Sequence, residues 1–383
     1  MGWRRLALLL TASSLSVPPL AAAQTAAPPL PTVVSTVALG PLGQASDILA
    51  RDGGYSLQVG ATDYWMFDDT IWGQSLTRGG FIDNTLSWTT SPSGLFLEGN
   101  LTNTQGEPVP FIPFTAAETR WKKLHSAATC GVPPCRQDLS IWPSQPILDT
   151  ANQRVIMPIY ALTRTPGINA WYNYASGFAA APITSAGKLG PFKRMPVLSG
   201  SGYQDMLWGP NDFAYLDQSI IFAAYFYAFG NAYNAATGQI DTKLARVPLA
   251  KLSTLSAWTY WDAAGTWSSN PANAVPLFAG GDAGSSIFFN GYLGEWMAIY
   301  TPAFQGDVYF RVANGITGPW SAQALLFHTS PGYNNSDCYH AQVHTEMALN
   351  GGQTEFVSYS KWTGPFIDQT QMVKVTFAPA AGK

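Results

Sequence analysis

The chain has 383 residues, only 11% of them charged and 13% aromatic, with 14 Trp and a formal net charge of −3. The charged share is less than half of the quarter usual in soluble proteins, and no basic patch interrupts the sequence, so composition speaks against nucleic acid as a partner. Few charges with many Trp, Tyr, Gly and Asn suit a polysaccharide surface, although aromatic residues also favour strands in any large β-protein.

Arg4 and Arg5 precede an apolar run, LALLLTASSL at 6–15, and then PPLAAAQ at 18–24. A basic start, a short apolar core and a small-residue site read as a secretory signal over residues 1–23, cleaved after Ala23. That core is too short to span a bilayer, and no later stretch reaches about 18 uninterrupted apolar residues. The expectation is a secreted or periplasmic protein with no integral membrane association. Residues 24–45 are rich in Ala, Pro, Thr and Val and read as a leader or linker. Residues 46–383 read as one domain, expected as a monomer.

Residues 51–72, RDGGYSLQVGATDYWMFDDTIW, read as a β-hairpin with carboxylates at its open end. Asp52 opens one strand, and Asp68 and Asp69 close the other. A turn centred on GATD at 60–63 places 54 opposite 69 and 52 opposite 71, so Asp52 and Asp69 are diagonal neighbours on one face. Opposed Cβ atoms lie about 5 Å apart and diagonal ones about 7–8 Å. That range overlaps the carboxyl separations of glycosidases, roughly 5–5.5 Å for retention and 6.5–9.5 Å for inversion. A one-residue slip selects Asp68 instead. The bland reading is that these acids cap strands and solvate a turn.

Short β-rich runs punctuated by Gly, Pro, Asn and Asp continue to the C-terminus, and long helices are hard to find. A small or polar opening, a turn and an aromatic strand recur. After the first hairpin come 139–148 with 154–162, 206–216 with 219–229, 284–294 with 295–301, and 338–349 with 354–362. The fourth is followed by VYFRVANGITGPW at 308–320, and the fifth ends in WTGPF at 362–366. The pattern predicts an all-β, single five-bladed β-propeller with four-stranded blades. In a propeller the first strands line one axial funnel, a concave place for a ligand. Their leading ends gather Asp52, Trp142, Trp208, Asn211, Asp212, Ser285, Ser286, His340, His344 and Glu346. Trp142 and Trp208 are candidates to stack on a sugar, or else to pack between blades. Asp212 orients substrate or forms a turn with Asn211. His344 and Glu346, two apart on a strand, face the same way. They bind hydroxyls, tune an acid, or fix the last blade.

Cys130 and Cys135 bracket GVPP and suit a small disulfide loop, while Cys338 is left over as a buried thiol. No HExxH or G-x-S-x-G element is present. No cofactor and no metal site are expected.

These residues resemble a family of exported five-bladed propellers, long known only as a domain of unknown function, that includes endo-D-arabinanases. Its members commonly open with an RDGG-S stretch and a W-x-F-G-D-T strand, here Arg51–Ser56 and Trp65–Thr70. An asparagine-bearing strand and an R-x-A…GPW turn match Asn290 and 311–320. An H-P-E-L element before V-S-Y matches 344–347 and 357–359. More distantly the chain is similar to arabinofuranosidase and arabinanase propellers. The resemblance implies Asp52 and Asp69 as the catalytic carboxylates. Arg51, Asp68, Trp142, Trp208, Asn211, Asp212, His340, His344 and Glu346 are the expected substrate contacts. Asp68 stands where the family has Gly, and Thr345 where it has Pro.

Three classes of function follow from this reading. They are a glycoside hydrolase acting on a furanoside-containing polysaccharide such as arabinan, a non-catalytic carbohydrate-binding propeller, and a protein-interaction propeller. Paired acids favour the first, because stacking alone does not need them.

Overall fold

The computed structural model describes residues 26–44, 47–75, 78–91, 93–165, 171–197, 206–209, 217–280, 284–302 and 306–378. The expected signal over 1–23, and Asn211 and Asp212, lie outside them.

Five antiparallel sheets follow one another along the chain as the blades of a propeller. Their first strands are Ile48–Val59, Asp138–Pro143, Gln218–Phe222, Ser286–Asn290 and Tyr339–Val343. The first strand of blade 5 touches those of blades 1 and 4, and the first strands of blades 3 and 4 touch each other, as expected around a common axis. Each of the five seams is filled by its own apolar cluster. Trp65 and Phe67 with Leu42 and Met372 close the ring between blades 5 and 1.

Blade 5 takes Val33–Pro41 as its outermost strand, paired antiparallel with Ile367–Phe377. The linker reading of 24–45 is corrected there. Val33, Val34 and Val37 favour a strand, and closing the ring with the chain's early residues supplies the last blade's missing edge. The propeller therefore begins before residue 46.

The third blade is offset from its expected position. SIIFAAYFYAF does not form one strand: Gln218–Phe222 and Tyr225–Asn234 are a hairpin joined at Ala223 and Ala224. Both alanines have positive φ, 47° and 65°, as a two-residue hairpin turn requires. Gly, Asn or Asp usually marks such a turn, and their absence hid it. Trp208 consequently does not open a blade. It bridges Ser176 at the outer part of blade 2.

A ten-residue helix, Ala116–His125, lies in the link from blade 1 to blade 2, started by a Thr115–Glu118 capping box. Cys130 and Cys135 are disulfide-bonded, and Cys338 is a buried free thiol.

In the first hairpin the turn is Gly60–Ala61, because Val59 pairs with Thr62. The pairing is therefore displaced from the GATD-centred one, but its parity survives. Two irregularities then act at the acids. Gly53 pairs with Phe67 and Tyr55 with Met66, leaving Gly54 as an extra residue. Arg51 pairs with Thr70, so Asp52 alone stands against both Asp68 and Asp69. Gly53 and Gly54 carry φ of 82° and 93°, which a side chain resists. A Cβ on Gly53 would sit 3.0 Å from Asp68 Oδ2 and 3.1 Å from Asp68 N. The RDGG stretch thus lets one strand's backbone close onto the acidic bulge of the other.

Candidate active site

The same end of the propeller collects acids and their partners from three consecutive blades. Asp52, Asp68 and Asp69 come from blade 1, and Asp368 from the hairpin of blade 5, where it pairs with Trp362. Blade 2 supplies Trp142 and Arg164. The Trp142 indole N–H donates to Asp69 Oδ1 at 2.9 Å. Arg164 Nη1 donates to Asp69 Oδ2 at 2.6 Å and its Nη2 to Asp83 Oδ1 at 2.9 Å. Lys122 of the helix reaches Asp138 at 3.0 Å and Asp83 at 3.8 Å. From blade 5, Tyr339 Oη lies 2.9 Å from Asp52 Oδ2 and 3.1 Å from Asp368 Oδ1.

Burial and crowding divide these acids. Asp52 is held well above the usual carboxylate range by burial first, then by the charges of Asp69 and Asp368. Burial, Asp52 and Asp69 do the same to Asp68. Burial also raises Asp69, but Arg164 and the Trp142 N–H oppose it. Asp368 is raised to about 6 by burial and Asp69, against the Tyr339 hydrogen bond. Asp83 is likewise raised to about 6 by burial. Closely spaced carboxyls with unlike partners separate in acidity. Asp69, fixed by a guanidinium and an indole N–H, is the one best able to stay ionised. Asp52 and Asp68 have no cationic partner, and each has a buried Oδ1 with no hydrogen bond.

His340 stands beside this group. Its Nε2 is 2.9 Å from Tyr55 Oη and 3.8 Å from Asp68 Oδ2. Burial pushes its pKa down to about 4, so it is neutral and gives Asp68 no counter-charge.

Other expected contacts lie elsewhere. Arg51 is buried over the Phe67 ring at 3.7 Å and donates to Ser87 Oγ at 2.8 Å inside blade 1. The strand's alternation turns it away from its acidic neighbour. Trp208 is buried between blades 2 and 3 against Phe178 and Trp258. His344 is fully buried at the seam of blades 5 and 1, its ring tilted against Trp65, with Ser56 Oγ 2.5 Å from its Nδ1. Glu346 accepts a hydrogen bond from the same Ser56 hydroxyl. Trp208, His344 and Glu346 thus lie at seams between blades, and Arg51 lies within blade 1. Ser286 bonds Gln342 and the backbone of Val343. Asn290 ties blade 4 to Gly352 and Glu355 of blade 5.

Sequence reasoning missed Arg164, Asp83, Tyr339 and Asp368. Two signals were present. Tyr339 opens the fifth inner strand next to His340, and Asp368 follows the WTGPF turn. Nothing local marked Arg164, which ends the second strand of blade 2 beyond its aromatic core.

Aromatic side chains flank the acids. Phe81 is 50% exposed and lies under the Arg164 guanidinium at 4.6 Å, and Phe366, beside Trp362, is 70% exposed. Among the described residues no group of three or more His, Cys, Asp or Glu side chains is arranged to hold a metal ion. A separate hollow of about 120 Å³, lined by Asp307, Thr329, Asp337 and Cys338 among others, includes none of the acids above.

Residues 201–370 match the family model described as Domain of unknown function (DUF4185). No curated protein matches the chain. Among solved structures, a candidate hydrolase from Bacteroides ovatus is similar with a TM-score of 0.58 at 15% identity, covering 88% of this chain and 87% of that one. Zg3597, a family 117 glycoside hydrolase from Zobellia galactanivorans, gives 0.50 at 10% identity over 89% and 90%. A GH43 endo-arabinanase from Bacillus licheniformis gives 0.45 at 13% identity over 86% and 94%, too loose to extend the comparison. The chain is therefore a five-bladed propeller that carries the DUF4185 match over its second half and shares its architecture with glycoside hydrolase propellers.

Proposed function

We propose that the protein is a glycoside hydrolase acting on a furanoside-containing polysaccharide, with arabinan the first substrate to test. The observation that carries this reading is the asymmetry of the acids across the bulge. Asp69 is held by Arg164 and Trp142, while Asp52 has one buried oxygen without a partner. Glycoside cleavage needs one carboxylic acid for the leaving oxygen and one carboxylate as nucleophile or as base for water. In this reading Asp52 is the acid and Asp69 the carboxylate. Asp68 keeps the site short of negative charge by carrying a proton, and Trp142 orients Asp69 through its N–H. The arabinan choice rests on the resemblance of the opening and closing motifs, and the fold likeness supports only the architecture.

The test is incubation with purified cell-wall polysaccharides, arabinan among them, with product analysis beside the Asp52→Asn variant. Cleavage by the parent and a loss of about 10²-fold or more in the variant supports the assignment. Full cleavage by the variant removes it. The exposed Phe81 and Phe366 favour a second reading, a carbohydrate-binding propeller without catalysis. Retention on a polysaccharide gel with no product from any substrate would select it. The basic and apolar N-terminus supports export to the periplasm or medium, tested by N-terminal sequencing of the protein recovered there. A single species of monomer mass in light scattering would support the monomer.

A further inference from the structure

The phenol of Tyr339 is within hydrogen-bond distance of two carboxyls, one on blade 1 and one on blade 5. A phenol has one proton to donate. If it donates to Asp52 Oδ2, the contact with Asp368 Oδ1 is a hydrogen bond only when Asp368 is protonated and donates to Oη. If it donates to Asp368, Asp52 must carry the proton. The geometry therefore calls for one shared proton beyond the phenol's own. Asp52 Oδ1 is buried and has no hydrogen-bond partner.

We propose that Asp368, Tyr339 and Asp52 form a proton relay that reloads Asp52 after each cleavage. This rests on the reading of Asp52 as the acid. Asp52 gives its proton to the leaving oxygen as the glycosidic bond breaks and becomes a carboxylate, while water bonds to the sugar carbon and yields its proton to Asp69. Tyr339 passes its hydroxyl proton to Asp52 Oδ2 and takes the proton of Asp368. The phenol ends neutral, Asp52 is protonated again, and the negative charge rests on Asp368. Asp368 is half-exposed, and it recovers a proton from water. Asp69 releases to solvent the proton it took from water, so every proton is conserved, and no oxidant, metal or reactant besides water enters. Asp368 and Tyr339 do not touch the glycosidic bond and are positioning and relay residues.

The groups facing Asp52 are Asp68 and Asp69 from the adjoining strand, Tyr339 and Asp368 from blade 5, and neutral His340 beside Asp68. Removing the Asp368 charge lowers the pKa of Asp52. Removing the Tyr339 hydrogen bond raises it. The two substitutions Asp368→Asn and Tyr339→Phe therefore shift Asp52 in opposite directions, which a packing defect does not do.

The experiment is a carboxyl NMR titration of the full chain labelled with ¹³Cγ-aspartate, with the Asp52 signal assigned by its loss in Asp52→Asn. The expected result is a two-step titration of Asp52 coupled to Asp368, moving down in Asp368→Asn and up in Tyr339→Phe. An Asp52 titration unmoved by both variants overturns the relay. Linear arabinan hydrolysis is followed in parallel, and the relay predicts kcat lower by about tenfold in each variant with KM within about twofold. Coupled titration with unchanged kcat in both variants overturns it too. Failure of the Asp52 assignment has a different signature, full arabinan cleavage by Asp52→Asn, and failure of the glycosidase reading is no product from any polysaccharide with the parent. Tyr339→Phe keeps the ring, and an unchanged thermal midpoint confirms that it folds.

Discussion

Replacing Arg164 by Met removes the guanidinium and keeps the apolar stem against Phe81. It strips the guanidinium from Asp69 and leaves Asp83 with Lys122 alone; the two acids are 24% and 7% exposed, while Arg164 is 19% exposed. Breaking a fully buried pair costs about 3–5 kcal/mol, and an exposed pair is worth about 0–1 kcal/mol. The intermediate exposure sets the expected loss at about 2 kcal/mol at pH 8. The pH dependence has a definite sign. Without Arg164 the folded-state pKa values of Asp69 and Asp83 climb further above the unfolded value near 4. A raised folded pKa gives stability that is complete below the unfolded pKa and is lost as pH rises through the folded one. Asp83 is already raised to about 6 in the parent. The deficit of the variant is therefore small at pH 4.5 and grows towards pH 8. Urea unfolding at both pH values measures it, with a midpoint lower by about 0.7 M at pH 8 for a slope near 3 kcal/mol per M. An equal deficit at both pH values, or a larger one at pH 4.5, refutes the ion-pair reasoning. The acidic limb of any pH–rate profile moves upward in the same variant, because Asp69 then ionises later.

Three further outcomes are expected. Gly53→Ala forces a side chain into positive φ against the Asp68 carboxyl, so urea midpoints fall by an amount equivalent to about 2 kcal/mol. An unchanged midpoint would show that the bulge relaxes freely. Phe81→Ala and Phe366→Ala leave stability within about 0.5 kcal/mol, both rings being exposed. They weaken retention on polysaccharide gels by about threefold to tenfold each, and unchanged retention removes them from binding. Glu346, raised to about 7 by burial, makes the parent less stable as pH rises from 4.5 through 7, by roughly 2–3 kcal/mol. Glu346→Gln flattens that dependence in urea melts, and an unflattened curve places the titration elsewhere.

The repeat of aromatic strands made the propeller legible, because one face of each blade must fill a seam and the apolar spacing records it. The first hairpin was legible for a further reason. Gly53, Gly54 and the paired acids violate ordinary strand composition, and such violations concentrate at functional sites. The choice between Asp68 and Asp69 was not legible from alternation. A bulge puts both against Asp52 and suspends the two-residue period on which parity depends. Blade 3 was misread because alanines occupy left-handed turn positions. Arg51, Trp208 and His344 were legible as unusual residues, but sequence does not separate a polar group that closes a seam from one that faces a ligand. Arg164, Tyr339 and Asp368 reach the site across blade boundaries, and no local pattern records a contact of that range.

The most direct measurement compares Asp52→Ala and Asp69→Ala on linear arabinan and on an aryl arabinofuranoside whose leaving group needs no protonation. The assignment of Asp52 as acid and Asp69 as carboxylate predicts that Asp52→Ala stalls on arabinan yet turns over the aryl substrate. Asp69→Ala fails on both. The reverse pattern, or equal activity of both variants on both substrates, contradicts it.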